Sequence, residues 1–390
     1  MIGPILTLNA GSSSLKFALF EAGETPVAGP KGVIDQTLSA PHMITKDAAG
    51  RPLMERHWPS GTAFSVLVGD VIAWAEKQSG KALSAVGHRV VHGGPKHAAP
   101  QIVTQALLAE LDALIALAPL HEPHNIAPMR ALVDSNPGLP QVACFDTGFH
   151  RTMPSLATRF ALPRQFEEEG VCRYGFHGLS YEYIAGRLRE IAPDLARGRV
   201  IAAHLGNGAS ICALKDGRSV DTSMGFSALD GLVMGTRCGA LDPGVLLYFM
   251  RRHGMDAAQI EDLLYNRSGL LGLSGLSADM RELLASADPA AKEAVALFVF
   301  RLAREIAALT ASLGGLDGLV FTAGIGENAS EIRRMTCEAL AWLGLCLDET
   351  ANTQNNRWIS SADSRVEILV IPTDEEITIA RHVISALSTA

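Results

Sequence analysis

The sequence lacks any C-x-x-C pair: its six cysteines stand alone at 144, 172, 212, 238, 337 and 346. Without a redox or zinc spacing they read as reduced thiols, mostly small core residues, of a cytoplasmic protein. It lacks a basic excess, having 33 Lys and Arg against 41 Asp and Glu and a net charge of −8. No nucleic-acid partner is therefore expected, although a few local arginines can still bind an anionic substrate. It lacks a long uncharged apolar run. The most apolar helical stretch carries Arg301, Arg304 and Glu305, so no membrane partner is expected. The opening has no basic leader, and Asn9 and three serines interrupt its apolar run, which speaks against a secretory signal. The P-loop pattern, a complete G-x-G-x-x-G and H-E-x-x-H are also missing.

What is present suits two or three soluble domains: 390 residues, 48% hydrophobic and 19% charged. The run "PILTLNAGSSSLKFALF" predicts a hairpin, 4–8 with 15–20, around a turn of small residues that lets backbone N–H groups approach an anion. A helix over 63–77, a strand over 86–91, a helix over 105–117 capped by Thr104, and a strand over 141–145 ending in Asp146 follow. The second half repeats this order. A strand pair at 199–204 and 209–214 precedes a helix over 289–313, capped by Asp288 and ended by Gly314, and a strand over 318–322. A helix over about 328–343, a strand over 366–371 and a last helix from Asp374 complete it, Thr373 and Glu376 having capping-box spacing. The expectation is a duplicated α/β chain with a cleft between its halves. The first would span 1–148 joined by the helix 374–390; the second, 149–373, would carry most of the nucleotide site.

Asn9, Asp146, His204, Gly324 and Thr373 fall at or just past predicted strand ends, where open α/β sheets bind ligands. Three Gly-rich turns in matching positions, at Gly11, in "HLGNGAS" (204–210) and in "TAGIGEN" (322–328), suggest a nucleotide whose phosphates are held between two hairpins. Gly324, Ile325 and Gly326 would precede a helix N-terminus. Arg89 in an apolar strand and Arg237 in a Gly-rich loop call for a carboxylate or phosphate partner. His177, between Gly175 and Gly178, is either structural or in a loop shaped for close approach. Asp146 suits a metal-binding or catalytic carboxylate. With Glu376 in the cap, Glu375 is left to bind Mg²⁺. "LHEPH" (120–124) reads as a turn, because Pro123 prevents the helix a metal motif needs, with His121 pointing into the site. His88 and His92, four apart in a strand, are too far apart to chelate.

Together these motifs resemble the acetate kinase family. The matching runs are "NAGSSSLKF", "HRVVHGG", "LAPLH", "FDTGFH", "RYGFHG", "HLGNGAS", "DTSMGF", "MGTR", "LDPG", "FTAGIGEN" and "PTDEE", in order from residue 9 to 376. The resemblance implies two duplicated actin-like (ribonuclease H-like) domains with ATP in the interdomain cleft, within the superfamily of sugar kinases, Hsp70 and actin. It implies Mg²⁺-dependent (or Mn²⁺-dependent), reversible, in-line phosphoryl transfer between ATP/ADP and acetate or acetyl phosphate, by a homodimer. By matched motif, Arg89 would hold the acetate carboxylate, and Val91, Leu120, His121, Phe176 and Ala228 would surround it. His177 and Arg237 would stabilise the phosphoryl group, with Asp146 at the reaction centre. Asn9 and Glu375 would hold the metal, and Lys16 would reach the phosphates. His204, Leu205, Gly206, Asn207 and Gly208, with Gly324, Ile325, Gly326, Glu327 and Asn328, would line the nucleotide site, and Asp279, Met280 and Arg281 would flank the adenosine.

Some departures from the family's pattern stand out. "GFSALDG" replaces the usual "GFTPLEG", so Ala228 stands for a proline and the acid pocket would be roomier. "HEPH" replaces "HNPA", and Ala240 stands where Asp is common. The rivals are a propionate kinase, a sugar or glycerol kinase, and an actin- or Hsp70-like ATPase. The last would need a partner-binding module, for which no room is expected after the final helix.

Overall fold

The interrupted apolar run at the start of the chain folds as a hairpin. In the computed structural model, which describes residues 3–11, 13–23, 25–119 and 121–389, β1 (Ile5–Ala10) pairs antiparallel with β2 (Ser14–Glu21). The Gly11 N–H closes the turn on the Ser14 carbonyl at 2.8 Å. The chain divides into two units, residues 1–149 with 374–390, and residues 150–373.

The first unit adds β3 (Val27–Asp35), β4 (His42–Lys46), β5 (Pro52–His57), β6 (Ala85–Val90), β7 (Gln101–Ile102) and β8 (Gln141–Phe145) to that hairpin. The sheet order is β5-β4-β3-β2-β1-β6-β8-β7, with β1, β6 and β8 mutually parallel. Alternate residues Leu6, Leu8, Leu15, Phe17 and Leu19 bury one sheet face against Leu67, Val71 and Trp74 of the helix Phe64–Ser79. Phe17 meets Trp74 edge-on at 4.9 Å. The C-terminal helix Glu375–Thr389 packs on β1, β6 and β8. It comes close because β6 has no side chain at Gly87: a Cβ there would stand 2.5 Å from Ile379 Cγ2 and 2.7 Å from Val383 Cγ2.

The second unit is built on β9 (Arg199–Leu205), β10 (Ala209–Lys215), β11 (Arg218–Thr222), β12 (Gly318–Thr322) and β13 (Glu367–Val370), in the order β11-β10-β9-β12-β13. An antiparallel meander followed by two parallel strands occurs in both sheets: β3-β2-β1 then β6 and β8, and β11-β10-β9 then β12 and β13. The helix Pro289–Leu313 covers β10 with a buried stripe that includes Val295, Phe298, Leu302, Ile306 and Leu309, each such side chain contributing about 1.5–3 kcal/mol. Asp288 caps it by accepting from the Ala290 N–H at 2.8 Å, and Gly314 ends it at φ 72°.

Several local expectations are corrected. "HEPH" is not a free turn: the helix Glu122–Ser135 starts there, with Pro123 in its first turn, where a missing N–H costs nothing. The last helix is capped by Asp374, which accepts from the Ile377 N–H at 3.0 Å, and not by Thr373, whose hydroxyl meets Ser180 at 2.8 Å. Gly324, Ile325 and Gly326 do not precede a helix. They lie inside a short one, Ala323–Asn328, followed by another at Ser330–Ala339 and a 3-10 turn at Ala341–Leu343. The helix expected over 105–117 ends at Ala113 and continues as a 3-10 turn. Among the described residues, no helix is long and apolar enough to cross a membrane. All six cysteines are free thiols.

Candidate active site

Three adjacent parallel strands deliver one polar cluster in the first unit. Asn9 stands near the end of β1, Arg89 near the end of β6, Asp146 just past β8, and Glu375 opens the C-terminal helix. Arg89 Nη2 and Nε donate to Asp146 Oδ2 at 2.5 and 3.1 Å, and Nη1 donates to Asn9 Oδ1 at 3.2 Å. Glu375 Oε2 lies 3.8 Å from Arg89 Nε and accepts from Asn9 Nδ2 at 3.5 Å. The Asp146 side chain is fully buried, and that of Arg89 is 18% exposed. Burial opposes the guanidinium charge, but the carboxylates of Asp146, Glu375 and Glu376 outweigh it and raise the Arg89 pKa. The donors facing this arginine are all oxygens, two of them carboxylates, a set that fits a hard cation such as Mg²⁺ or Mn²⁺.

The loop after β6 is held by residues the sequence did not reveal. Asn125 Oδ1 accepts the Val91 N–H at 2.9 Å, and Glu122 Oε1 accepts the His92 N–H at 2.7 Å. Asn125 Nδ2 donates to the Ala10 carbonyl at 2.8 Å, tying the loop to β1. Glu122 is fully buried. Burial pushes its carboxyl up to about 8, against the His92 N–H bond and with the Asp146 charge. The signal was Glu within "HEPH", obscured by reading Pro123 as a breaker.

In the second unit, His177 takes a left-handed conformation, φ 58°, at the start of the helix Gly178–Ile191. Its Nδ1 pairs with Ser210 Oγ at 2.8 Å, and its ring stacks on His204 at 4.2 Å. Ser210 Oγ also meets Tyr181 Oη at 2.6 Å, and His204 Nδ1 meets Ser180 Oγ at 2.8 Å. Arg237 Nη1 donates to the Ala228 carbonyl at 3.0 Å. The absent side chain of Gly208 makes the room: a Cβ there would stand 3.4 Å from His177 Nε2 and 3.7 Å from Arg237 Nη1. Gly235 does the same for Asn207, whose Oδ1 would clash with a Cβ at 1.9 Å.

Beside this loop lies a cavity of about 780 Å³, lined by Gly206, Asn207, Asp279, Met280, Arg281, Gly324, Ile325 and Asn328, with Ala278, Leu284 and Ala329 in addition. Its volume is in the range of nucleotide-sized ligand sites. Ala323, at its edge, has φ 63°, a strained geometry for a non-glycine residue. Glu327 does not line the cavity: its Oε1 accepts the Ala323 N–H at 2.8 Å and the Thr373 N–H at 3.2 Å. His204, Leu205 and Gly326 are buried and do not line it. Asp279 caps the helix Met280–Ala285, and its hydrogen bonds from Arg281 hold its carboxyl down to about 2.

Behind the cavity, Arg333 is a fully buried arginine among oxygens of neutral groups. It donates to the carbonyls of Gly326 and Glu327 at 2.8 and 2.9 Å, to Asn352 Oδ1 and O at 2.8 and 2.7 Å, and to Asn355 Oδ1 at 2.6 Å.

The residues expected around an acid's methyl group divide between the units. Val91 and His121 belong to the first, Phe176 and Ala228 to the second, and Leu120 lies outside the described residues. Lys16 projects from β2 into a cavity of about 530 Å³ shared with Lys31, Asp374 and Glu376. Ala240 is exposed, and nothing in the structure explains the alanine.

Each unit thus sets side chains for anions at strand ends, and one pairs them with a nucleotide-sized cavity. With the repeated sheet topology, this defines a kinase of the duplicated, actin-like α/β class. Comparison narrows the class to one family. The sequence pattern of the Acetokinase family matches residues 4–381, and the chain belongs to that family. It is 55% identical over 386 residues to the acetate kinase of Rhodopseudomonas palustris, covering 97% of each chain. Among solved structures it resembles a propionate kinase from Francisella tularensis, at TM-score 0.91 and 38% identity over 98% of this chain and 99% of that one. It also resembles Porphyromonas gingivalis acetate kinase, at TM-score 0.87 and 35% identity over 99% of this chain and 100% of that one.

Proposed function

We propose that this chain transfers the γ-phosphoryl group of ATP reversibly to acetate, giving acetyl phosphate and ADP by direct in-line displacement. The observation that carries this reading is the point beside Gly208 on which His177 Nε2 and Arg237 Nη1 converge, next to the 780 Å³ cavity. A transferring phosphoryl group needs positioning and charge neutralisation more than covalent help, and these donors supply both. Gly206, Asn207, Gly208, the segment 279–281 and Gly324, Ile325 and Asn328 hold the nucleotide, and Lys16 is the candidate for its phosphates by matched motif.

Arg89 takes the acid's carboxylate, and Val91, His121, Phe176 and Ala228 are, by matched motif, the candidate contacts of its methyl group. An acetate is already ionised near neutral pH, so Asp146 need not act as its base and instead organises Arg89 and the metal site. Asn9 and Glu375 hold Mg²⁺, which when bound offsets phosphate charge.

Propionate is the second reading, carried by Ala228 in place of the family's usual proline. One methylene in an apolar pocket is worth only about 1–3 kcal/mol, so propionate is a good substrate or the preferred one. The working form is a homodimer acting in the cytoplasm. The helix Pro243–His253 buries none of its residues and exposes Leu247, Tyr248 and Met250, a face suited to a second copy. Conversion of Leu247→Glu to monomers in sedimentation, with the wild type dimeric, tests that face; an unchanged dimer rejects it.

The test of the reaction is acyl-phosphate formation from Mg-ATP, trapped with hydroxylamine and compared across acetate, propionate, butyrate and no acid. Strong product with acetate is expected, and the propionate ratio of kcat/KM reads the Ala228 pocket. ATP consumed equally without acid would instead mark an actin-like ATPase.

A further inference from the structure

We propose that the β4–β5 hairpin carries a second metal site, for a borderline divalent ion such as Zn²⁺, made by His42, Glu55 and His57. It does not depend on the phosphoryl-transfer reading and lies on different strands from Asn9, Arg89 and Asp146.

The strand register builds it. His42 of β4 stands directly opposite His57 of β5, and Glu55, two residues before His57, points to the same sheet face. The two imidazoles stack, with centroids 4.1 Å apart and planes 3° from parallel. Both turn the same nitrogen toward the same oxygen: Nε2 of His42 lies 2.7 Å and Nε2 of His57 lies 3.5 Å from Glu55 Oε1. The three ligand atoms all lie within 4.8 Å of one another. A tetrahedral zinc ion with bonds of about 2.0–2.2 Å needs its ligand atoms about 3.3 Å apart, so small side-chain rotations close the site.

The side chains are free to make those rotations, being 26% (His42), 63% (Glu55) and 70% (His57) exposed. Asp35 of β3, opposite His42 on its other side, adds negative charge to the same row.

Ligand chemistry sets the preference. Two imidazoles and one carboxylate favour Zn²⁺, Ni²⁺ or Cu²⁺ over Mg²⁺, which prefers all-oxygen sites. Three protein ligands leave a fourth position for water. β5 is the outer strand of its sheet, so a bound ion would staple that edge to β4.

The test is isothermal titration of the full chain with ZnCl₂ in excess Mg²⁺, in a Cys346→Ser background that removes the exposed thiol. One equivalent of Zn²⁺ bound with micromolar affinity is expected, together with a raised melting midpoint. Binding should weaken by about tenfold or more in His42→Ala and in His57→Gln. The metal-free melting midpoints of these variants show that they fold. Undiminished uptake in a chain carrying both His42→Ala and His57→Gln, or no uptake by the parent chain, would overturn the proposal.

Discussion

Glu122→Gln should gain stability relative to the parent chain as pH rises from 5 to 8. Glu122 is fully buried, its Oε1 accepts the His92 N–H at 2.7 Å, and its Oε2 has no hydrogen-bond partner among the described residues. Burial first, then the Asp146 charge, raises its pKa from 4.5 to about 8 against the pull of the His92 N–H. In the unfolded chain the same carboxyl ionises near its ordinary value. Between the two values the folded state holds a proton that the unfolded state has lost, so stability falls as pH rises. At about 1.4 kcal/mol per unit, this interval amounts to a penalty on the order of 5 kcal/mol, complete above pH 8.

Glutamine keeps the acceptor for His92 and cannot ionise, so it escapes that penalty. Its amide N–H groups enter the surroundings that hold the neutral acid's hydroxyl, which sets an offset independent of pH. The buried rings of His88 and His150, lowered by burial to about 3 and about 4, act in the opposite sense. Below pH 6.5 the unfolded chain takes protons that these rings refuse in the folded state, so acid destabilises. That term is common to both proteins and cancels in their difference. Urea unfolding followed by circular dichroism, at fixed protein concentration from pH 5 to 8.5, measures the difference directly. It should grow with pH to several kcal/mol; a difference independent of pH refutes a neutral, buried carboxyl.

Other perturbations separate the remaining roles. Arg237→Ala should lower kcat by about 10³–10⁵-fold, by analogy with other arginines that touch a transferring phosphoryl group, while Arg89→Ala should mainly raise the KM for the acid; near-normal turnover of Arg237→Ala in steady-state kinetics sinks that assignment. Arg333→Met should cost about 3–5 kcal/mol, because it strips donors from the buried carbonyls of Gly326, Glu327 and Asn352, and should weaken ADP binding through the helix Ala323–Asn328. Unchanged thermal stability and ADP affinity by calorimetry would show that these carbonyls need no guanidinium.

What was legible in the sequence was what neighbouring residues decide. Asp288, Pro289 and Gly314 bracket the long helix with local chemistry alone, and the structure keeps those limits. The strand-end positions of Asn9 and Asp146 followed from apolar runs that stop at polar residues, Arg89 stood out as a charge within an apolar strand, and parallel strands gather all three. β3, β4 and β5 left little trace. β3 carries Gly29, Pro30, Lys31 and Gly32, and every residue of β5 is exposed, so neither shows the alternation of a half-buried strand. Such strands form because β2 offers them a partner edge, which is a tertiary cause. Arg333 was invisible for a similar reason. It sits in a polar helix beside Arg334, and the Asn352 and Asn355 groups that justify its burial lie about twenty residues further on.

Glu122 shows how a departure from a family's usual residue can keep the geometry and change the chemistry. The stretch resembles a family that commonly has asparagine there. What the His92 N–H needs is an acceptor oxygen, which an amide and a carboxyl both provide. The requirement of the fold is therefore met by either residue, and the helix Glu122–Ser135 starts at this position with Pro123 welcome behind it. The two differ in what they demand of the solvent. An amide is neutral at every pH, whereas the buried carboxyl must keep a proton to remain in place, with the Asp146 charge making its loss harder still. The loop that carries Val91 is therefore held by a buried group whose ionisation under alkaline conditions is opposed by burial and the Asp146 charge, a penalty an amide would not incur.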